Sequence, residues 1–150
     1  MGQDSHSDSE IKKLYQLKNI AVVGLSKNEE KPSHQVPKYL IEHGYNVIPV
    51  NPTITEVLGR KCYPNVAAIN ERIDVVDVFR KSEDIPAVIE DVLKKKDGIK
   101  VVWMQLGIHN EDAERKAKEN GIDVIYNRCM MEEHKRLFHD ENKSFRSSKR

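Results

Sequence analysis

The sequence predicts an α/β domain of the Rossmann-like class: a doubly wound, mainly parallel sheet with helices on both faces. Short apolar runs rich in Val and Ile alternate with amphipathic stretches along the chain. Continuous apolar runs bounded by turn residues are typical of buried parallel strands. Strand, helix and strand repeated in this order favour an open sheet whose crossover helices cover both sides.

Five segments are the predicted strands. In chain order they are 20-IAVVG-24, 46-NVIPV-50, 74-DVVDVF-79, 100-KVVWMQ-105 and 122-IDVIY-126. Residues 53–72 interrupt the alternation, and we expect a turn and a small strand around Lys61 to Tyr63.

Apolar residues at helical spacing mark the helices between the strands, and a glycine follows each of the first three. The three faces are Val36, Leu40 and Ile41 before Gly44; Ile85, Val88, Ile89, Val92 and Leu93 before Gly98; and Ala113 and Ala117 before Gly121. A last helix is predicted from about Met130 to Leu137.

The 150 residues fit one domain, which we place at residues 13–138 between polar, aperiodic tails at 1–12 and 139–150. The formal net charge of +1 favours neither nucleic acid nor a membrane surface as a partner. No apolar run approaches the roughly 20 residues that cross a bilayer. Two cysteines outside any CxxC pattern predict reduced thiols in a cytoplasmic protein.

Ligands of such sheets bind beyond the carboxyl ends of the strands, where the strand order reverses. This rule selects five loops as candidate binding segments. They are residues 24–35, 51-NPT-53, 79-FRKSE-83, 105-QLGIHN-110 and 127-NRC-129.

The loop after the first strand, 24-GLSKNEEKPSHQV-36, has the features of a phosphate site. Gly24 allows a sharp turn, while Ser26 offers a hydroxyl and Lys31 a cation. Pro32 and Ser33 open the next helix, whose free backbone N–H groups attract anions. The alternative is a solvated connection with a capping serine.

A nicotinamide dinucleotide is disfavoured at this loop. The dinucleotide turn needs further glycines after the first, and Gly24 has none in the loop. The acidic residue expected after the second strand is replaced by the neutral pair Asn51 and Pro52.

Several motifs, taken in order, resemble the stand-alone coenzyme A (CoA) binding proteins, which are similar to the amino-terminal CoA-binding domain of the succinyl-CoA synthetase alpha subunit. The resemblance covers about residues 15–138. Its motifs are 22-VVGLS-26, 31-KPSHQV-36, 44-GYNVIPVNP-52, 58-LGRKCYPN-65, 74-DVVDVFR-80, 102-VWMQLGI-108 and 127-NRCMMEEHKRL-137.

The resemblance implies that CoA lies across the strand ends. It places Gly24, Ser26 and Lys31 at the phosphates, with Asn51 and Pro52 on the nucleotide side. It places Val78, Phe79 and Arg80 beside the adenine, and Gln105, Leu106 and Gly107 near the diphosphate or pantetheine. The synthetases carry a lysine soon after the strand-two proline, where this chain has Ile54. Arg60, Lys61 and Arg80 are the candidate substitutes for pairing with the ribose phosphate.

The expected function is therefore binding of CoA or acyl-CoA by a carrier, sensor or delivery module without catalysis of its own. The sequence has no counterpart of the synthetase's second domain, which carries the phosphorylated histidine. The alternatives are a CoA-dependent ligase or transferase component that acts with a separate partner and, less favoured, an NAD(P)-dependent oxidoreductase. A homodimer is a further possible assembly.

Two other residue types were considered for chemistry. The histidines lack the spacing of metal ligands, so no metal site is predicted. Cys129 follows the last strand and opens a helix whose dipole is expected to lower its pKa. It is a candidate for reversible disulfide exchange with the CoA thiol, against the alternative of an inert buried thiol. For Arg80, the alternative to phosphate binding is pairing with Glu83 or Asp84.

Overall fold

The computed structural model describes residues 1–95 and 97–139. The helices are α1 (Asp8–Leu14), α2 (Pro32–Glu42), α3 (Ile85–Leu93), α4 (Glu111–Glu119) and α5 (Met130–Leu137), with a 3-10 turn at Ser82–Asp84. The strands are β1 (Asn19–Val23), β2 (Asn46–Val50), β3 (Glu56–Val57), β4 (Arg60–Lys61), β5 (Val75–Val78), β6 (Val101–Met104) and β7 (Asp123–Ile125).

Five strands form one parallel sheet in the order β2-β1-β5-β6-β7, which confirms the predicted fold class. The chain runs outward from β1 to β2 and then returns to place β5 on the other side of β1. The carboxyl ends of β1 and β5 are therefore the switch point at which crossovers leave in opposite directions. The separate hairpin β3–β4 is antiparallel, and β4 and the Tyr63 bridge to Val50 lie where the small strand was expected.

Alternation along the buried strands divides the core between the two faces of the sheet. One face packs the apolar side chains of α3 and α4 against residues such as Val76 and Val102. The other packs α1, α2 and α5 against residues such as Val22 and Trp103. Because successive strand residues point to opposite faces, continuous apolar strands such as VVWM supply both layers.

The predicted amino-terminal tail is corrected by the structure. Asp8–Leu14 is a helix whose start is a capping box: the Ser7 hydroxyl accepts from the Glu10 N–H, and the Glu10 carboxylate accepts from the Ser7 N–H. Ile11 is fully buried against the domain. Upstream, the Arg128 guanidinium donates to the buried Asp4 carboxylate at 2.9 Å. A single buried apolar residue was too weak a periodic signal to predict this helix.

The predicted tail at 139–150 lies outside the described residues except for His139. Within the part of the chain that the structure describes, the longest helix has 11 residues, and no helix combines the length and apolar character of a membrane span.

Candidate functional site at the carboxyl ends of the strands

Gly24 directly follows β1 at the switch point and needs to be glycine for two reasons. Its φ of +86° lies in the left-handed region. A Cβ built there would stand 2.6 Å from the Phe79 carbonyl oxygen, which is fixed backbone at the end of β5. The absent side chain therefore lets the ends of β1 and β5 approach each other closely.

Ser26 organises the loop after Gly24. Its hydroxyl accepts from the Asn28 N–H at 3.0 Å, and its carbonyl oxygen accepts from the ring of the buried His34 at 2.7 Å. Ser26 is not among the residues that line the two clefts described below. The structure therefore places it behind the site as a support for the loop.

The start of α2 is left uncapped by any side chain. Lys31 occupies the N-cap position and Pro32 the first helical position. The His34 and Gln35 N–H groups donate to the Lys31 carbonyl, whereas the Ser33 N–H has no acceptor among the described residues. This end of the helix thus presents one backbone donor, a hydroxyl and an ammonium group, a combination suited to an anion.

The larger of two clefts at these strand ends has a volume of about 680 Å³. Its walls are mainly apolar, and its charged lining residues are Lys31, Arg80, Lys81 and Glu132. It is lined by Lys31, Pro32, Ser33, Gln35, Val36, Phe79, Arg80, Lys81, Gln105, Leu106, Ile108, Cys129, Met131 and Glu132. Leu106 is 68% exposed at the rim, which makes it available to cover a bound molecule.

The smaller cleft, of about 400 Å³, opens on the α3 side of the switch point. Gly24, Pro52 and Asn65 line it, and Arg80 borders both clefts. The Arg80 guanidinium is paired with the Asp84 carboxylate only loosely, at 3.8 Å, and its side chain is 44% exposed. A loose, exposed pair contributes little stability, so Arg80 can turn toward an anion in either cleft.

Asn51 connects two loops at the end of β2. Its side-chain N–H donates to the Leu25 carbonyl at 3.0 Å, and its side-chain oxygen accepts from the Thr53 hydroxyl at 2.7 Å. Both ends of the amide are therefore occupied. Asn51 shapes the approach to the smaller cleft, while Pro52 forms part of its wall.

Other sequence-predicted residues lie apart from the cleft walls. The Val78 side chain is fully buried in the core. Gly107 donates its N–H to the Asn127 side chain at 2.7 Å and lines neither cleft. Of the three candidate cations for the ribose phosphate, Arg80 alone lines one of these two clefts. The Arg60 guanidinium donates to Asn46 at the opposite edge of the sheet. The Lys61 ammonium lies over the Tyr63 ring.

The site also contains a buried acid that the sequence analysis did not single out. Asp77 lies in β5, fully buried, and one of its oxygens accepts from the Gln105 side chain at 2.6 Å. Among the described residues, its other oxygen is the one buried side-chain atom without a hydrogen-bond partner. Burial raises the pKa of Asp77 to about 7, although the bond from Gln105 acts in the opposite direction.

The expectation that the helix end lowers the pKa of Cys129 is wrong. Burial raises the pKa of this thiol and outweighs the backbone N–H groups of Glu132 and Met131, which act to lower it. The negative charge of Asp77 acts in the same direction as burial. Cys129 does line the larger cleft, as its position after β7 predicted, and both cysteines are free.

Several cleft residues were missed because tertiary packing brings them in. Met131 and Glu132 belong to the first turn of α5, directly after Cys129, and Gln35 and Val36 continue the α2 end. Extending the strand-end rule into each following helix turn would have found them. For Asp77 the available signal was an acid inside an otherwise apolar strand. Within the described ranges, no three His, Cys, Asp or Glu side chains assemble as metal ligands.

Comparisons with known proteins give a consistent result. A family model described as a CoA binding domain matches residues 18–135. The chain is 44% identical to the uncharacterized protein YneT of Bacillus subtilis, over 85% of this chain and 94% of that one. A hypothetical protein from Pyrococcus horikoshii has a solved structure with a TM-score of 0.85 and 47% identity, and the match covers 89% of this chain and 94% of that one.

A second kind of relative is a much longer enzyme. The chain is 32% identical to the ADP-forming acetate–CoA ligase of Methanocaldococcus jannaschii over 75% of its own length. It spans only 16% of that ligase. The similarity is therefore to one part of the enzyme.

Proposed function

Because the chain belongs to the CoA-binding domain family, we propose that it binds coenzyme A across the switch point of its sheet. The observation that carries this proposal is the pair of clefts at the strand ends that share Arg80. One ligand with a polar, charged middle and two different ends would fill both.

The diphosphate belongs at the start of α2, between the Lys31 ammonium, the Ser33 N–H and the Arg80 guanidinium. Charge-assisted hydrogen bonds of this kind are about twice as strong as neutral ones. The adenosine end fits the smaller cleft beside Pro52. The pantetheine arm fits the larger cleft, whose walls include Phe79, Ile108 and Met131.

We propose that the chain carries, senses or delivers CoA without catalysis of its own. The alternative, a component of a CoA-dependent ligase or transferase, is favoured by the match to part of the acetate–CoA ligase. Mixing the chain with candidate partner subunits and assaying acyl-CoA formation separates the two, since only an enzyme component would support turnover.

Calorimetry with CoA, dephospho-CoA, ATP and NAD tests the binding proposal. We expect CoA to bind most tightly. CoA binding no tighter than ATP binding would contradict the proposed specificity. A preference for NAD would instead support an oxidoreductase, which the neutral pair Asn51 and Pro52 disfavours.

Variants locate the phosphates. Lys31→Ala and Arg80→Ala should each weaken CoA binding roughly 10-fold or more, because each removes a charge-assisted contact. Both should leave adenosine binding less affected. Lys100→Ala is the matched control, since Lys100 is exposed just before β6, at the opposite edge of the sheet. An equal effect of all three substitutions would place the phosphates elsewhere.

Disulfide exchange at Cys129 is a further proposal. The Cys129 thiolate would attack one sulfur of oxidised CoA, forming a protein–CoA disulfide and releasing one CoA thiolate. Intact mass should show one adduct that Cys129→Ser abolishes and Cys62→Ser retains. No adduct, or an adduct on Cys129→Ser, contradicts the proposal. The raised pKa of Cys129 predicts slow exchange at neutral pH.

A further inference from the structure

Asp77 is an unusual residue for the middle of a parallel sheet. It pairs in register with Val22 on one side and Trp103 on the other, and it is fully buried. Burying a carboxylate without a cation costs several kcal/mol. Among the described residues no Lys, Arg or His forms an ion pair with it, and one oxygen has no partner at all. Packing alone would be better satisfied by an apolar side chain.

The side-chain hydrogen bond of Asp77 leads directly to the larger cleft. Asp77 accepts the Gln105 side-chain N–H at 2.6 Å, and Gln105 forms part of the cleft wall. The Gln105 side-chain oxygen has no donor among the described residues, yet it is not among the enclosed, unpartnered atoms. This oxygen is therefore the end of the amide that remains for a molecule in the cleft.

The chemistry of the carboxylate determines which end of the amide faces that molecule. Above its pKa of about 7, Asp77 is ionised and only accepts hydrogen bonds, so it holds the NH₂ group of Gln105 toward itself. An amide in place of the carboxylate could either donate or accept. The orientation of Gln105 would then no longer be fixed.

We propose that Asp77 is a positioning residue that turns the Gln105 carbonyl oxygen toward the larger cleft, where it accepts a hydrogen bond from an amide N–H of the pantetheine arm. This inference rests on the proposed function. The arm alternates methylene groups with amides. The neighbouring walls supply apolar contact through Phe79 and Ile108, while Gln105 supplies the polar partner for an amide that enters the cleft.

The test compares CoA with adenosine 3′,5′-bisphosphate, which lacks the pantetheine arm, at about pH 8, where Asp77 is ionised. Gln105→Met and Asp77→Asn should each weaken CoA binding about 3- to 10-fold, the effect of one neutral hydrogen bond. Binding of the bisphosphate should change less than about twofold. In the Gln105→Met background, Asp77→Asn should have no further effect on CoA, because its action passes through Gln105.

A merely structural Asp77 gives a different result. Asp77→Asn would then weaken the binding of both ligands equally, or its effect on CoA binding would persist in the Gln105→Met background. Either outcome overturns the inference. The test does not depend on whether Asp77→Asn folds. Gln105→Met alone must weaken CoA binding more than bisphosphate binding, and equal losses for the two ligands would also overturn the inference. Failure of the unsubstituted chain to bind CoA would instead defeat the proposed function.

Discussion

Asp74 directly precedes β5 and Asp77 lies near the carboxyl end of that strand, and their surroundings differ accordingly. Asp74, at the amino edge of the sheet, accepts from the Asn19 backbone and side chain at 3.1 and 2.9 Å and from Arg72 at 3.0 Å. Asp77, toward the carboxyl edge, accepts one side-chain hydrogen bond, from Gln105, and its other oxygen has no partner among the described residues. At the amino edge the buried carboxylate has all its oxygens hydrogen-bonded, whereas at the carboxyl edge one carboxylate oxygen has no partner within the described ranges.

The two pKa shifts follow from this difference. Burial acts to raise the pKa of Asp74, but the bonds from Asn19 and Arg72 outweigh it and the pKa is lowered. For Asp77, burial dominates the opposing bond from Gln105. The comparison separates a structural edge, where polar groups stabilise the fold, from the edge that carries the clefts, where a buried acid lowers stability.

The largest expected effect is a pH-dependent gain from Asp77→Asn. The ordinary carboxyl pKa is 3.8 and that of folded Asp77 is about 7. Between these values the folded state keeps a proton that the unfolded state has released, so stability falls as pH rises. The variant cannot titrate. Its free energy of unfolding relative to the unsubstituted chain should therefore rise by up to about 4 kcal/mol from pH 4 to pH 7 and then level off.

Urea unfolding at about pH 5 and about pH 8 measures this gain. The matched control is Asp74→Asn. Because the folded pKa of Asp74 is lowered, its contribution is complete above the ordinary carboxyl pKa and is lost only at lower pH. The Asp74→Asn difference should be constant over the same range. A constant difference for Asp77→Asn as well would show that the two acids do not differ as described.

A second contrast uses one glycine from each edge. Gly24→Ala should lower the free energy of unfolding by about 3 kcal/mol, because the left-handed φ and the close Phe79 carbonyl both oppose a Cβ. Gly44, before β2 at the amino edge, has a φ of +90° but nothing within 4 Å of a built Cβ. Its replacement by Ala should cost about 1 kcal/mol. Urea unfolding measures both free energies. Equal losses for Gly24→Ala and Gly44→Ala would mean that the backbone near Phe79 shifts to make room for the added Cβ.

The smallest of these effects concerns the structural edge. Asp74→Ala leaves the Asn19 donors without their acceptor and should cost about 2 kcal/mol. Asp84→Ala removes an exposed carboxylate 3.8 Å from Arg80 and should change stability by less than about 0.5 kcal/mol. Thermal unfolding of both variants at neutral pH measures the difference. A loss of stability for Asp84→Ala as large as that for Asp74→Ala would contradict the view that Asp74, and not Asp84, stabilises the fold.

The sequence predicted the layers of this fold well because buried strands depend on composition. All five segments of the main sheet lie in Val- and Ile-rich runs, and 46-NVIPV-50 matches β2 at both ends. The strand-end rule also located Gly24, Lys31 and Arg80, because it follows from chain direction alone.

The rest depended on side-chain direction and on contacts distant in sequence. Val78 was assigned to the adenine, but alternation along β5 turns its side chain into the core on the α3 face. The proposed role of Asp77 rests on a contact with Gln105, which directly follows the neighbouring strand β6. The pKa of Cys129 depends on its burial, which a helix position in the sequence does not reveal.

The amino-terminal segment has a consequence for how this sheet meets other chains. β7 and β2 are the two outer strands. Beside β7, Asp4 accepts from the Tyr126 N–H and the His6 ring bonds to Asp123. Beside β2, Tyr63 bonds to the backbone of Pro49 and Asn51. Both outer strands thus bond to a neighbouring segment of the same chain. A strand from another molecule would have to displace such a segment before it could extend the sheet. This arrangement protects the domain against edge-to-edge aggregation.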